Sequence, residues 1–358
     1  MNSWQAVMRP ELLQLSGYSA ASDARDLLRL HANEAPQDPG GNSTGLNRYP
    51  VPQPTALIDA MADYYGVDSG EVLPVRGSDD AIDLLVRSFC RAGRDSVLVC
   101  PPTFGMYEFA VRLQDARCVT VPLLRENGFQ VDYGSVLAQC TGMVRLVFLC
   151  SPNNPTGNVC TDVDVLELAA ALAGRAIVVV DEAYIEFARK PSIARRLHDA
   201  DNLVVLRTLS KALGLAGIRC GALLAQAGLV ERLRCLMPPY PLPAPTIDAA
   251  SRQLLAAANG QLEPQIDQIR SERDRLAIAL HEHPDVHTVW NSEGNFLLLQ
   301  PAAEARDLEA RCRDAGILVR YFAADAVMPA CLRVTVGSPD ENDRLLDSLA
   351  VPRERAHG

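Results

Sequence analysis

One lysine of the chain lies in a setting suited to covalent chemistry. Lys211 follows the hydroxyl side chains of Thr208 and Ser210 and precedes the glycine-containing segment 214–217. A lysine in partly apolar surroundings has a lowered pKa, so its neutral amine can form a Schiff base. Arg219 and the two hydroxyls are donors suited to a phosphate group. The segment therefore predicts a Schiff-base lysine beside a phosphate site, although a solvated surface lysine is the simpler interpretation.

A carboxylate ends a continuous apolar stretch. Residues 176–180 are all apolar, Asp181 follows them directly, and Tyr184 stands three positions later. Five apolar residues in a row predict a strand that is buried on both faces. An acidic side chain at the end of such a strand is costly unless it has a cationic partner. Asp181 therefore either caps the next helix or pairs with a pyridinium nitrogen, which would keep the ring an effective electron acceptor.

A second set of donors precedes the predicted helix 79–90. Gly77, Ser78 and Asp79 stand at its start, where free backbone N–H groups and the helix dipole favour an anion. The same residues also form ordinary helix caps. They indicate a phosphate site only in combination with the donors around Lys211.

Two loops that follow predicted strands could contact an aromatic ring. Phe104 comes after the strand 96–100 and could stack on a pyridine ring or pack within a core. Asn154 lies in the loop Ser-Pro-Asn-Asn-Pro-Thr-Gly after the strand 144–150, and its amide could donate to a ring oxygen. Asparagine, proline and glycine are also turn residues, so a tight turn is the alternative for this loop.

Strands that alternate with helices would position these residues. The alternation predicts a parallel sheet with helices on both faces, and ligands of such sheets bind at the carboxyl ends of the strands. After about residue 245 the pattern changes to a long helix and then to short strands, which indicate a second α/β domain. Helices are predicted over 79–90, 162–173 and 246–283, and strands over 96–100, 117–122, 144–150, 176–180, 203–206, 288–289, 296–300, 317–320 and 332–336.

Length and composition narrow the class of protein. The chain has 358 residues, which suggests two domains, and a net charge of −10, which argues against a nucleic-acid surface. Its ten cysteines contain no Cys-x-x-Cys pair, and we expect them to be reduced and mostly buried. The sequence has neither a signal peptide nor an apolar run of about 20 residues, so we expect a cytoplasmic protein without membrane contact. No metal site is predicted.

In their order along the chain, these segments resemble those of the fold-type I aminotransferases, which depend on pyridoxal 5'-phosphate (PLP). Three features carry the resemblance: the Asn-Pro-Thr-Gly loop, the Asp at a strand end with Tyr three positions later, and Ser-Lys with Arg eight positions after the lysine. More narrowly, nearly the whole chain is similar to the histidinol-phosphate aminotransferase family. The matching stretches are 33–36, 47–50, 76–79, 101–107, 150–158, 179–187, 207–221, 295–296 and 332–337.

The resemblance implies a fold and a domain division. It implies an α/β fold with a large PLP-binding domain, whose mostly parallel sheet of seven strands lies between helices, and a smaller α/β domain. The large domain is expected over 33–245 and the small domain over 246–358. Residues 1–32 are expected to form an N-terminal arm that joins the small domain, and the protein is expected to be a homodimer.

The resemblance also implies roles for individual residues. Lys211 would be the Schiff-base lysine and the proton carrier, Asp181 would pair with the pyridine nitrogen, and Phe104 would stack on the ring. Asn154 and Tyr184 would contact the ring hydroxyl. The residues expected around the cofactor phosphate are Gly77, Ser78, Asp79, Thr208, Ser210 and Arg219, together with Tyr49 from the other subunit. The residues expected to face the substrate are Arg333, Arg320, Tyr18 and Asn33.

The activity implied by the resemblance is transamination of L-histidinol phosphate with 2-oxoglutarate, a step of histidine biosynthesis that yields imidazole-acetol phosphate and L-glutamate. Phe104 stands where the family usually has a tyrosine, so stacking on the cofactor ring is kept and the tyrosine hydroxyl is lost. An L-threonine-phosphate decarboxylase or an aromatic amino-acid aminotransferase would share most of the cofactor residues. A PLP-binding sensor without catalysis is a remote alternative, because no basic segment for a DNA-binding module is present. A nicotinamide-dependent dehydrogenase is disfavoured, because the first strand–helix unit lacks a Gly-x-Gly-x-x-Gly fingerprint.

Overall fold

The structure, a computed structural model, describes residues 2–18, 28–39 and 45–350. The helices in these ranges are α1 (Ser3–Val7), α2 (Pro10–Leu13), α3 (Thr55–Tyr65), α4 (Ser78–Phe89), α5 (Met106–Leu113), α6 (Tyr133–Gln139), α7 (Asp162–Ala171), α8 (Ala227–Arg234), α9 (Ala244–Ala258), α10 (Glu263–His281), α11 (Ala305–Asp314) and α12 (Pro339–Ala350). The strands are β1 (Val72–Val75), β2 (Ser96–Val99), β3 (Arg117–Thr120), β4 (Val144–Cys150), β5 (Ile177–Asp181), β6 (Leu203–Thr208), β7 (Gly221–Ala225), β8 (Val286–Val289), β9 (Phe296–Pro301), β10 (Arg320–Phe322) and β11 (Cys331–Thr335).

Seven strands form the large sheet in the order β1-β7-β6-β5-β4-β2-β3. Strands β2 to β6 pair in parallel, whereas β7 is antiparallel to both of its neighbours, β6 and β1. Every residue of β5 and β6 is buried, as expected for strands that are covered on both faces. The predicted α/β fold with a mostly parallel sheet of seven strands is confirmed.

Two hydrophobic clusters cover the two faces of the large sheet. Successive side chains of a strand point to opposite faces, so Val205 packs in one cluster and Val204 in the other. The same alternation places Arg207 and Thr208, at the carboxyl end of β6, on opposite faces. Thr208 and Arg207 can therefore serve different purposes, one lining a site and the other packing behind it.

A four-stranded antiparallel sheet in the order β10-β11-β9-β8 organises the C-terminal part of the chain. Leu297 and Leu299 on one face of β9 pack in a cluster with residues of α10, α11 and α12. Phe296 and Leu298 on the other face belong to a cluster of the large sheet, so the small sheet packs against the large one. None of the helices in the described ranges is long and apolar enough to cross a membrane.

The predicted long helix 246–283 is in fact two helices. α9 ends at Ala258 and α10 begins at Glu263, because the intervening turn contains Gly260 with a positive φ of 73°. Ala250 and Leu254 of α9 pack in a cluster of the large sheet. The prediction of one continuous helix is therefore wrong at this turn, and α9 packs with the large sheet although it lies after the expected domain boundary.

Two strands of the large sheet are not predicted from the sequence, β1 at its edge and β7 next to it. β1 contains Pro74, and β7 consists of small residues and two leucines, so neither shows a clear strand pattern. The predicted strand 317–320 is shifted, because β10 begins only at Arg320. The central strands of the large sheet lie within about two residues of their predicted ends.

The N-terminal arm begins against the large sheet. Trp4, Val7 and Met8 are buried in the same cluster as residues of β1 and α4. Nη1 of Arg9 donates to the carbonyl oxygen of Arg87 at 2.8 Å. The first helix of the arm therefore packs with the large sheet, while residues 19–27 lie outside the described ranges.

Candidate active site

A cavity of about 600 Å³ lies at the carboxyl ends of β4, β5 and β6. It extends from the start of α4 to β10 and β11 of the small sheet. Most of the site residues expected from the sequence line it: Ser78, Asp79, Phe104, Asn154, Asp181, Tyr184, Thr208, Ser210, Lys211, Arg219, Arg320 and Arg333. Residues that sequence reasoning did not single out complete the wall: Thr103, Gly105, Met106, Cys150, Ala183, Ala216 and Phe322.

Lys211 follows β6 and opens into the cavity. Its Nζ lies 5.4 Å from the centroid of the Tyr184 ring. Desolvation lowers the pKa of Lys211, and the positive charge of Arg333 lowers it further. The other lysine of the chain, Lys190, is engaged elsewhere, since its Nζ pairs with Asp162. Lys211 is therefore the amine with the environment that covalent chemistry requires.

Asp181 ends β5 and is only 2% exposed. Its carboxylate accepts from the Tyr107 hydroxyl at 2.8 Å and from the backbone N–H of Ala183 at 3.1 Å. Burial raises the pKa of Asp181 to about 6, which the two hydrogen bonds only partly oppose. No cationic side chain in the described part of the chain forms an ion pair with it. A buried carboxylate in this state is suited to receive a cation from a ligand.

Tyr107 is a supporting residue that sequence reasoning missed. It is fully buried on α5, stacks on Phe148 with the ring centroids 4.8 Å apart, and meets the edge of Phe104 at 5.7 Å. A tyrosine in an amphipathic helix is typical of a core position, so its sequence context gives no sign of the bond to Asp181. The available signal is its position three residues after Phe104, in the first turn of α5.

Asn154, Tyr184 and Arg333 form a contact chain across the cavity. Nη1 of Arg333 donates to Oδ1 of Asn154. Nδ2 of Asn154 faces the Tyr184 hydroxyl at 3.5 Å, and the Tyr184 ring meets the edge of Phe296 at 5.0 Å between centroids. Burial raises the pKa of Tyr184, so the phenol is neutral and able to donate at physiological pH. The amide and the phenol thus present two donors on one side of the cavity.

The start of α4 forms the opposite side of the cavity. Gly77 caps this helix with a φ of 84°, and a Cβ atom added there would lie 2.8 Å from Nη2 of Arg219. Arg219 donates to Oδ2 of Asp79 and to the Ser210 hydroxyl, both at 3.2 Å. A carboxylate repels an anion, so Asp79 serves such a site by orienting Arg219 and through its backbone N–H. A helix terminus, hydroxyls and one guanidinium thus meet in one corner of the cavity, and donors of these kinds can bind an anion.

The small sheet contributes the outer wall. Arg320 of β10 stands opposite Arg333 of β11 in the strand pairing. The Arg333 guanidinium lies 5.5 Å from the Phe296 ring centroid and 5.9 Å from that of Phe322. Two guanidiniums beside an aromatic wall can bind an anionic group that is attached to a planar or apolar one.

Besides Gly77, three expected site residues do not line this cavity. Tyr18 is 78% exposed, and Asn33 and Tyr49 border a separate depression. Tyr49 is half exposed, and its ring stacks on Tyr240 with the centroids 4.6 Å apart. Glu34 orders this region, since its carboxylate accepts from the backbone N–H of Tyr49 at 2.8 Å. Within one chain, therefore, these residues do not complete the site around Lys211.

The family pattern described as "Aminotransferase class I and II" matches residues 13–349, and the chain belongs to that family. Among curated relatives, a histidinol-phosphate aminotransferase from Stenotrophomonas maltophilia is 43% identical, with 98% of each chain covered. The crystal structure of histidinol-phosphate aminotransferase from Sinorhizobium meliloti in complex with pyridoxal-5'-phosphate has a TM-score of 0.78 and 25% identity, and it covers 86% of this chain and 83% of that one. L-threonine-O-3-phosphate decarboxylase from Porphyromonas gingivalis has a TM-score of 0.72 at 24% identity, covering 85% and 90%, and shares the fold.

Proposed function

We propose that the chain binds PLP and transfers the amino group of L-histidinol phosphate to 2-oxoglutarate. The observation that carries the proposal is the single cavity that joins Lys211, the buried Asp181, and the guanidiniums of Arg320 and Arg333. These groups supply an amine, an anion for a pyridinium nitrogen, and cations for a phosphate or carboxylate. The full-length likeness to histidinol-phosphate aminotransferases supports the choice of substrates.

The residues of the cavity fit PLP. Asp181 accepts only from a hydroxyl and an N–H among the described residues, so a pyridinium nitrogen would supply the missing cation. The corner at Ser78 and Arg219 would hold the phosphate, and Phe104 would stack on the ring. Asn154 and Tyr184 would donate to the ring oxygen. The phosphate would be surrounded, in addition, by Gly77, Asp79, Thr208 and Ser210.

The chain's own residues would hold the reactants and move one proton. PLP, when bound, supplies an electron sink for the bond that breaks at the substrate's α carbon. Nζ of Lys211 would accept the proton that leaves this carbon, and its lowered pKa favours the neutral amine that can do so. Ionised Asp181 would keep the ring nitrogen protonated, and the Tyr184 hydroxyl would donate to the ring oxygen.

The outer wall would select the substrate. We assign the phosphate of histidinol phosphate to Arg333, with Arg320 beside it, because a guanidinium binds phosphate through paired hydrogen bonds. The same guanidinium would bind the carboxylate of glutamate in the second half-reaction. Phe322, whose ring centroid lies 5.8 Å from the Arg320 guanidinium and 5.9 Å from that of Arg333, would provide an apolar surface for the imidazole ring.

We also propose a cytoplasmic homodimer. Tyr49 lies outside the cavity of its own chain and is half exposed, so a second copy is needed to bring it to the cofactor phosphate. Asn33 shares its depression, and Tyr18 is largely exposed in the single chain. The molar mass from light scattering after size-exclusion chromatography tests this proposal, and a monomeric mass for the active protein would contradict it.

The proposed reaction is tested by the absorbance spectrum of the purified PLP-loaded protein. L-histidinol phosphate should abolish the visible band of the lysine-linked cofactor, and 2-oxoglutarate should restore it. A band that responds to phenylalanine or phosphothreonine instead would keep the fold and replace the substrate. The absence of any band after PLP has been supplied would remove Lys211 as the cofactor site.

A further inference from the structure

A buried ion cluster lies behind the candidate active site. It consists of Arg207, Glu182 and Glu186. Arg207 is 5% exposed and immediately precedes Thr208, and Glu182 is 1% exposed and immediately follows Asp181. Because successive strand residues point to opposite faces, Arg207 and Glu182 point away from their neighbours Thr208 and Asp181, which line the cavity.

One guanidinium bridges two carboxylates in this cluster. Nη2 of Arg207 donates to Oε1 of Glu186 at 2.6 Å, and its Nη1 lies 3.8 Å from Oε2 of Glu182. Glu182 also accepts from the Ser192 hydroxyl and from the backbone N–H of Ile193. Burial raises the pKa of Glu182, which the positive charge of Arg207 opposes. Loss of Arg207 would leave two carboxylates without their cation in a buried setting.

The guanidinium also packs in a confined position. It lies over the Tyr65 ring, 4.6 Å from the centroid. Nε of Arg207, Oε2 of Glu186 and the Tyr65 hydroxyl are buried without a hydrogen-bond partner among the described residues. A buried ion cluster that is only partly satisfied contributes little to stability compared with apolar packing of the same volume. Its presence directly behind the site therefore calls for a role beyond stability.

The cluster connects the two segments that carry the reactive side chains. Glu186 lies on the 3₁₀ turn Ile185–Phe187, which begins directly after Tyr184. Arg207 lies near the carboxyl end of β6, four positions before Lys211. The turn is held from its other side by Arg270 of α10, whose Nη2 donates to the carbonyl oxygens of Glu186 and Ala188, both at 2.8 Å.

We infer that Arg207 is a positioning residue, which holds the turn after Tyr184 against the strand that leads to Lys211. The inference rests on the proposed function and adds a residue that touches neither cofactor nor substrate. Without the bridge, the turn and the Tyr184 hydroxyl would lose their fixed distance from Lys211. Lysine at position 207 keeps the charge but cannot bridge two carboxylates with a planar fork, so the bridge is specific for arginine.

The test compares Arg207→Lys with Arg145→Lys in the PLP-loaded protein. Arg145 of β4 pairs with buried Asp95 at 3.1 Å near the opposite end of the same sheet, so its variant is the matched control. Donation from Tyr184 stabilises the unprotonated ring oxygen. Displacing Tyr184 in Arg207→Lys should therefore raise the pH midpoint of the visible band by about half a unit or more. The variant should also lower kcat roughly 10- to 100-fold while KM stays within about threefold.

Arg145→Lys should lower the melting temperature and leave the midpoint and kcat at wild-type values. A wild-type midpoint and kcat in folded Arg207→Lys would overturn the inference. If Arg207→Lys does not fold, Glu186→Gln takes its place, because it removes the carboxylate charge that lies 2.6 Å from Nη2 of Arg207 and keeps the shape of the side chain. A wild-type pH midpoint in Glu186→Gln would equally overturn the inference. A wild-type protein without any visible band would instead count against the proposed function, so the two failures are distinguishable.

Discussion

Arg333 of the small sheet donates to the side-chain oxygen of Asn154, in the loop that follows β4 of the large sheet. A guanidinium only donates, so this contact orients the Asn154 amide with Nδ2 toward the Tyr184 hydroxyl, 3.5 Å away. Burial lowers the pKa of Lys211, and the charge of Arg333 adds to that effect. Arg333 of the small sheet thus both orients the Asn154 amide and lowers the pKa of the Lys211 amine.

Arg333→Leu should therefore raise the pKa of Lys211 in the cofactor-free protein, because it removes a nearby like charge. The chain contains only two lysines, so ¹³C-dimethylation gives two lysine signals whose pH titration can be followed by NMR. Lys190→Arg assigns the signals. Arg320→Leu is the control, since it removes a second cavity guanidinium that is not among the main causes of the lowered pKa. An equal rise in both variants would contradict the specific role of Arg333.

Lys211→Ala should abolish turnover and retain PLP without a covalent link. Borohydride reduction of the wild-type protein should fix the cofactor to a single peptide that contains Lys211, as measured by mass spectrometry. Lys190→Ala should leave this label unchanged, because Nζ of Lys190 pairs with Asp162 and donates to the carbonyl oxygen of Cys160 at 2.8 Å. A label on Lys190 would refute the assignment of Lys211.

The sequence predicts best those parts of the site that depend on local patterns. The apolar run of β5 and the following Asp181 are adjacent in sequence, so the strand and its terminal carboxylate follow from the same stretch. Phe322 is different, because it reaches the cavity only through the antiparallel pairing of β10 with β11. Tyr107 likewise meets Asp181 across 74 positions. No local pattern encodes such contacts, which arise from the packing of whole elements.

Asp181→Asn should stabilise the cofactor-free protein at neutral pH. Burial raises the pKa of Asp181 from 3.8 to about 6, so ionising it costs the folded state roughly 3 kcal/mol at 1.36 kcal/mol per pKa unit. The cost is absent below pH 3.8, grows between 3.8 and about 6, and is complete above that range. Urea unfolding of both proteins across this range should show the gain from Asp181→Asn growing with pH.

The control for this titration is Asp63→Asn, which removes an exposed carboxylate on α3. It should not reproduce the gain of Asp181→Asn, because it leaves the buried carboxylate of Asp181 in place. Asp181→Asn should at the same time bind PLP more weakly, because the neutral amide cannot pair with a pyridinium nitrogen. A gain of equal size at pH 4 and pH 7 would show that Asp181 is not the source of the pH dependence.

Gly77→Ala should weaken PLP binding. Gly77 has a φ of 84° and a ψ of 170°, a conformation that is essentially limited to glycine, so an alanine there costs the fold on the order of 1–3 kcal/mol. The added Cβ would also lie 2.8 Å from Nη2 of Arg219 and displace this guanidinium. Gly174→Ala is the matched control, because its φ is 71° and an added Cβ meets no atom within 4 Å. Both variants should lose stability in urea, Gly77→Ala the more of the two, but only Gly77→Ala should raise the dissociation constant for PLP, by about tenfold or more if one charged hydrogen bond is lost. Equal PLP affinity in the two variants would mean that Arg219 does not depend on the space that glycine leaves at position 77.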